Sequence, residues 1–249
     1  MTYVFSNPKM LPYRMKQILL ILIINLTIIS ANNEITITAN QIQGRLNIVN
    51  GYSSECVMHK FYTNTGWIRI EGEIGRNGID GLYFKKKNGV IKEVLVAESK
   101  WNTSRLGWSG KNKLVHQMSQ EWVLRTLNRL QHYKSLPEYK TIKKLVEQNQ
   151  YRARLFKMFP IGDDKIQIQI YKIKNKGSKS FDTFIESKLR PIAITAPINN
   201  FEREILTSYN ICRAEALQKY FPMLNKQNIK YLVQDNYLQK NDISKIIKH

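Results

Sequence analysis

Asp80, Glu98 and Lys100 are the side chains of this sequence whose types and spacing best suit hydrolysis of a phosphodiester. Two carboxylates held side by side repel each other unless a cation lies between them. Mg²⁺ takes a few carboxylate oxygens together with water and phosphate. A lysine beside such a pair can orient the attacking water and help remove its proton. An Asp on one strand and Glu-x-Lys on the next is therefore a workable metal-assisted site.

The stretch that must position these groups is 77–101, NGIDGLYFKKKNGVIKEVLVAESKW. It reads as a β-hairpin: a short apolar strand over 82–84, a polar turn over 85–89 ending in Asn88-Gly89, and a second strand over 90–97. Asn-Gly between apolar runs is a strong hairpin signal. Strand side chains alternate faces, so Glu98 and Lys100 point the same way. Antiparallel pairing across the turn sets Asp80 beside Glu98. The bland alternative for Asp80 is an Asp-Gly turn pair.

The residues Gly78-Ile79-Asp80-Gly81 and Val94-Leu95-Val96-Ala97-Glu98-Ser99-Lys100 resemble the core motif of the PD-(D/E)XK nuclease superfamily, in the form carried by nuclease domains of secreted bacterial toxins. Ile79 stands where that motif often has proline, and the likeness covers roughly 53–130. The resemblance implies a restriction-endonuclease-like α/β fold: a mixed central sheet flanked by helices, here with additional C-terminal strands and helices. It implies a Mg²⁺- or Mn²⁺-dependent endonuclease that leaves 5′-phosphates, more often on DNA than RNA. Asp80 and Glu98 would hold the metal, with the Ser99 backbone carbonyl as a further ligand and Lys100 as the catalytic lysine.

Two supporting positions follow from the same resemblance. An acid on the helix before the core sheet matches Glu55, within a helix expected over 53–62. That helix buries a stripe of Val57, Met58, Phe61 and Tyr62. Glu55 would hold or orient a metal; otherwise it only complements the helix dipole. Glu71 and Glu73, after a strand expected over 67–71, are its rivals. A glutamine on the helix after Glu-x-Lys matches Gln117, within a helix expected over 114–130. There Gln117, Glu121, Arg125 and Asn128 share a polar arc and Gln120 lies off it.

Charge points to the partner. The chain of 249 residues carries 39 Lys plus Arg against 19 Asp plus Glu, a formal +20. Such an excess suits nucleic acid or an anionic membrane surface. Arg105, Lys111, Lys113 and Arg125 are candidate backbone contacts, with Trp108 available to stack on a base. The rival reading is a non-catalytic, exported protein that coats nucleic acid or a membrane surface. A second Glu-x-Lys, Glu186-Ser187-Lys188, follows Asp163 and Asp164, but its context FDTFIESKLR reads as helix.

The remaining segments complete the organisation. Residues 1–31 have Arg14 and Lys16 before an apolar run over 18–29, then Ser30-Ala31, as a signal peptide does. The run is short for a membrane span; if retained, it would anchor the chain. Its removal deletes Lys9, Arg14 and Lys16 and no acid, taking +20 to +17. Residues 32–50 read as a tether or edge strand, and Asn50-Gly51 as a break. The domain then spans 51–249, with a core over 53–175 and a helical extension over 176–249. Strands are expected over 151–159, 165–174 and 191–195, and helices over 137–149, 199–220 and the lysine-rich tail. Cys56 and Cys212 are either a disulfide or two buried thiols. An exported nuclease further suggests a toxin with a neutralising immunity protein, or a scavenging enzyme.

Overall fold

The computed structural model describes residues 39–70, 78–109, 115–129, 131–162, 165–174, 176–177 and 182–221. The expected signal peptide, Glu71, Glu73, Lys111, Lys113, Asp163, Asp164 and the C-terminal tail lie outside them. The chain divides into two compact units, 1–42 and 43–249. Of the first, only the opening turn of a helix is described; the remaining description concerns the second.

The fold is mixed α/β, built on a mixed central sheet. Its strands are β1 (Ile68–Arg69), β2 (Gly81–Lys87), β3 (Val90–Trp101), β6 (Arg152–Ile161), β7 (Lys165–Lys174) and β8 (Asp182–Lys188), in that spatial order, with β9 (Ile192–Ala193) also on β7. β3 and β6 run parallel; the other pairs are antiparallel. A small hairpin of β4 (Trp108–Ser109) and β5 (Val115–His116) precedes the helices α2 (Gln120–Arg129), α3 (Gln131–Lys134) and α4 (Tyr139–Glu147). The long helices α1 (Ala39–Asn64) and α5 (Asn200–Tyr220) bracket the chain.

The sheet is buried on both faces. Val94 and Val96 of β3 pack with Val123, Leu127, Ile142 and Val146 of α2 and α4. Leu95 and Ala97 pack with Val57, Met58, Ile205 and Leu206 of α1 and α5. That two-sided burial explains the unbroken VLVA run.

The hairpin turn is tighter than expected. Asn88 and Gly89 alone form it, with φ of 53° and 74°, the left-handed pair of a two-residue hairpin loop. Lys85 to Lys87 therefore belong to β2. Gly81 is a strand residue opposite Ala97, not part of a turn. A Cβ at Gly81 would lie 2.5 Å from the ring of buried Tyr83, so only glycine lets that ring fold back.

Three expectations are corrected. First, 39–50 is neither tether nor strand. Leu46, Val49, Ser53 and Val57 are buried at spacings of three and four, so α1 runs through Asn50-Gly51. Second, the helix expected over 114–130 begins only at Gln120. Met118 has a φ of 73°, and the Ser119 hydroxyl accepts from Trp122 N at 3.2 Å as an N-cap. Third, 182–188 is strand, not helix. β8 and β9 extend the sheet, so the C-terminal portion is not a purely helical extension.

α1 and α5 pack antiparallel. Arg45 donates to Tyr220 O, Arg213 to Asn50 Oδ1 at 2.6 Å, and Asn64 to Glu204 Oε2 at 2.6 Å. Between these contacts Cys56 and Cys212 form a disulfide, which resolves the two alternatives for that pair. Among the described residues no helix is long and apolar enough to cross a membrane.

Candidate active site

The register of β2 on β3 sets Gly81 opposite Ala97 and so brings Asp80 next to Glu98. Both lie on the face that carries Leu82, Val94 and Val96, and Lys100 follows on that face one residue pair further along β3. Asp80 Oδ2 accepts from Ser99 N at 2.9 Å, which pins the loop before β2 to the end of β3. Lys100 Nζ donates to Glu98 Oε1 at 2.8 Å. Gln117 Nε2 donates to the same oxygen.

Glu98 is 1% exposed, and its Oε2 has no hydrogen-bond partner. Burial, then the Asp80 charge, pushes its carboxyl well above the usual range; Lys100 opposes the shift. The Asp80 carboxyl is raised too, chiefly by burial, while Lys100, the neighbouring Glu98 carboxyl and the Ser99 N–H pull it down. The two acids are thus neighbours in one buried setting, and burial and Asp80 each disfavour ionisation of Glu98. Burial works to lower the Lys100 ammonium, but the Glu98, Asp80 and Glu55 carboxylates outweigh it and raise it.

Glu55 reaches the same cluster from α1. Burial and then Asp80 push its carboxyl up to about 8, against the pull of Arg69 and Lys100. Its Oε1 faces His59 Nε2 at 3.7 Å, and neither atom has a hydrogen-bond partner. Burial, with Arg69, lowers His59 to about 3, so that pair is not an ion pair at neutral pH. His59 Nδ1 instead meets the Tyr83 hydroxyl at 2.6 Å. Ser54, one residue before Glu55, meets the Ser99 hydroxyl at 2.7 Å.

Gln117 arrives by a different route from the one expected. It sits between β5 and the N-cap of α2. Its N–H donates to Gly107 O at 2.9 Å, and its Oε1 accepts from Gly107 N at 3.0 Å. The segment is a clamp that aims the amide at Glu98. Ser119 followed by Glu121 in the first turn was the signal for the later helix start. Gln120 instead holds Val146 O and Glu147 O at the end of α4.

The other expected residues scatter. Arg105 is exposed in the loop after β3. Trp108 is 47% exposed, its ring edge-on to His116 at 4.4 Å. Arg125 pairs with Glu121 on the outer face of α2. In the rival Glu-x-Lys, Glu186 is bound by Arg154, with Nη2 to Oε1 at 2.6 Å. Ser54, His59, Arg69 and Tyr83 have no local sequence pattern that assigns them to the site; their placement is a tertiary matter.

Carboxyl oxygens are the donor type that a hard divalent cation takes. Glu98 Oε2 is buried without a partner beside Asp80, and Glu55 Oε1, on the α1 side, is unpartnered too. Among the described residues no group of three or more His, Cys, Asp or Glu side chains is placed to hold a metal ion. Mg²⁺ does not require such a group, because it keeps several waters.

This electrostatics has a measurable signature without activity. The Glu55 pKa rises on folding from 4.5 to about 8, so the folded state binds more protons than the unfolded state across that window. The stability that Glu55 contributes is therefore fully present below pH 4.5 and lost as pH rises through about 8. In EDTA, the Tm difference between Glu55→Gln and the unsubstituted chain should widen in favour of the variant by about 5 °C or more over that range. Mg²⁺ at pH 8 should raise the Tm of the unsubstituted chain. Parallel Tm–pH curves for the two proteins would contradict it.

No family model, no curated protein and no solved structure matches this chain.

Proposed function

We propose that the chain is an exported, metal-dependent nuclease of restriction-endonuclease-like architecture, with DNA as its preferred substrate. The observation that carries this reading is the contact between the Asp80 and Glu98 carboxyls, with Lys100 on one Glu98 oxygen and no partner on the other. The mixed sheet flanked by helices is the architecture that reading requires.

Asp80, Glu98 and the Ser99 carbonyl would hold Mg²⁺, with Glu55 beside them. When bound, the ion supplies Lewis acidity to the scissile phosphate and lowers the pKa of the attacking water. Lys100, anchored on Glu98, places its ammonium where charge grows as the phosphorane forms. Gln117 holds Glu98 in one rotamer, and Ser54 holds Ser99. The buried walls keep these interactions in a low-dielectric setting, where they are stronger than in water.

Plasmid DNA and transfer RNA incubated with Mg²⁺, Mn²⁺ or EDTA test the proposal. Cleavage is expected with either metal and none with EDTA. Tight binding without cleavage would support the non-catalytic coat protein instead, and cleavage in EDTA would refute the metal mechanism.

The disulfide supports export, since such bonds persist in oxidising compartments. N-terminal sequencing of the secreted form tests removal of residues 1–31. An exported nuclease endangers its producer, which argues for a toxin with a neutralising partner. Harmless cytoplasmic expression of active enzyme would count against that role.

A further inference from the structure

From Lys100 at the acidic cluster, on the same sheet face, runs a row (Lys157, Gln169 and Lys188) that metal-assisted hydrolysis leaves without a role. Strand register pairs Lys100 with Lys157, Lys157 with Gln169, and Gln169 with Lys188. Register partners on neighbouring strands point to the same side. The face is that of Glu98, because Ala153 and Leu155, two and four residues before Lys157, pack in the cluster with Val94 and Val96. Four strands at roughly 4.8 Å spacing make the row about 14 Å long, enough for several consecutive phosphates.

Several cations elsewhere on the molecule are neutralised by an acid. Arg125 is matched by Glu121, Arg152 by Glu93, Arg154 by Glu186 and Arg190 by Glu202. Among the described residues no acid pairs with Lys157, Lys188 or Arg105. Lys157 is instead half-buried, its Nζ 5.2 Å from the Phe159 ring centroid, and Arg105 lies close enough to repel it. Burial and that repulsion together lower its ammonium from the usual lysine range. Two cations kept together without a counter-charge call for an anion from outside. Gln169 is locked between Lys157 and Lys188, accepting from Tyr171 at 2.6 Å and donating to Gln167 at 3.2 Å, and so serves as a rigid neutral spacer.

We infer that Arg105, Lys157 and Lys188 form a bed for the phosphate backbone of the substrate strand, which crosses β3, β6, β7 and β8 away from the Asp80–Glu98 pair. The direction of the strand rests on the nuclease reading; the anion-binding row itself does not. Lys157 is thus a positioning residue, setting the phosphates next to the scissile one.

The test is equilibrium binding, read by fluorescence anisotropy, of the full chain carrying Glu98→Gln to labelled single-stranded and duplex DNA over a range of salt. Each phosphate contact contributes about 0.7–0.9 to the slope of log K against log salt. Adding Lys157→Gln should weaken binding to all sequences alike and reduce the slope by about 1, and adding Lys188→Gln as well should reduce it by about 2. Lys157→Arg should restore the slope. A slope unchanged in both variants overturns the inference, as does weaker binding with no change of slope, which marks a folding defect. The unsubstituted chain is assayed for cleavage in parallel. If it never cleaves but the slopes fall as stated, the nuclease reading fails and the phosphate bed stands. If it cleaves and the slopes hold constant, the bed fails and the nuclease reading stands.

Discussion

Glu98→Gln should lower kcat/KM for DNA cleavage in Mg²⁺ by about 10⁴-fold or more, the scale seen when a residue at the reacting centre is removed. The same change should leave the metal-free protein at least as stable as before. Glu98 is 1% exposed, and its ionised form suffers both burial and the charge of Asp80. Glutamine keeps the shape and the oxygen that receives Lys100 and Gln117. Its amide can donate toward Asp80, where the second carboxyl oxygen had no partner. A carboxyl buried beside a second acid, at a cost to the fold, is what a functional group looks like. Steady-state kinetics and a thermal melt in EDTA check both halves. Cleavage at the parental rate would remove Glu98 from the reaction. A severe loss of stability would make it a structural residue instead.

Replacing both Cys56 and Cys212 with serine should cost about 5 kcal/mol of stability, from loop-closure entropy alone. The bond closes a loop with a sequence separation of 156, long enough for the closure entropy to be large. A loss of that size is a large part of the 5–15 kcal/mol that holds a typical domain together. It also bears on the site. Cys56 directly follows Ser54 and Glu55 on α1, and the bond fixes that turn of helix to α5. The variant should therefore lose activity at temperatures where the parent is still active. Urea unfolding with and without reductant gives the stability directly. Identical midpoints would show that the thiols are not joined, and would withdraw the main support for an oxidising destination.

The sequence by itself determined the centre of this protein. Alternation and the Asn88-Gly89 turn are local rules, and they place Asp80 beside Glu98 with Lys100 on the same face. The apolar stripes of α5 and of the second half of α1 are equally local and were legible for that reason. The first half of α1 was not, because Gly44, Asn50 and Gly51 weigh against helix and only burial of Leu46 and Val49 outweighs them. Residues 182–188 become a strand because β7 offers a free edge.

Only the tertiary structure decided which groups meet the hairpin from outside. Gln117 needs the Gly107 clamp and a left-handed Met118 to reach Glu98. Ser54 and Glu55 depend on where α1 lies against the sheet, and Lys157 on a parallel pairing between strands more than fifty residues apart. Periodicity describes which way a side chain points within its own element. It carries no information on which distant element stands opposite, and that is settled by packing of the whole core.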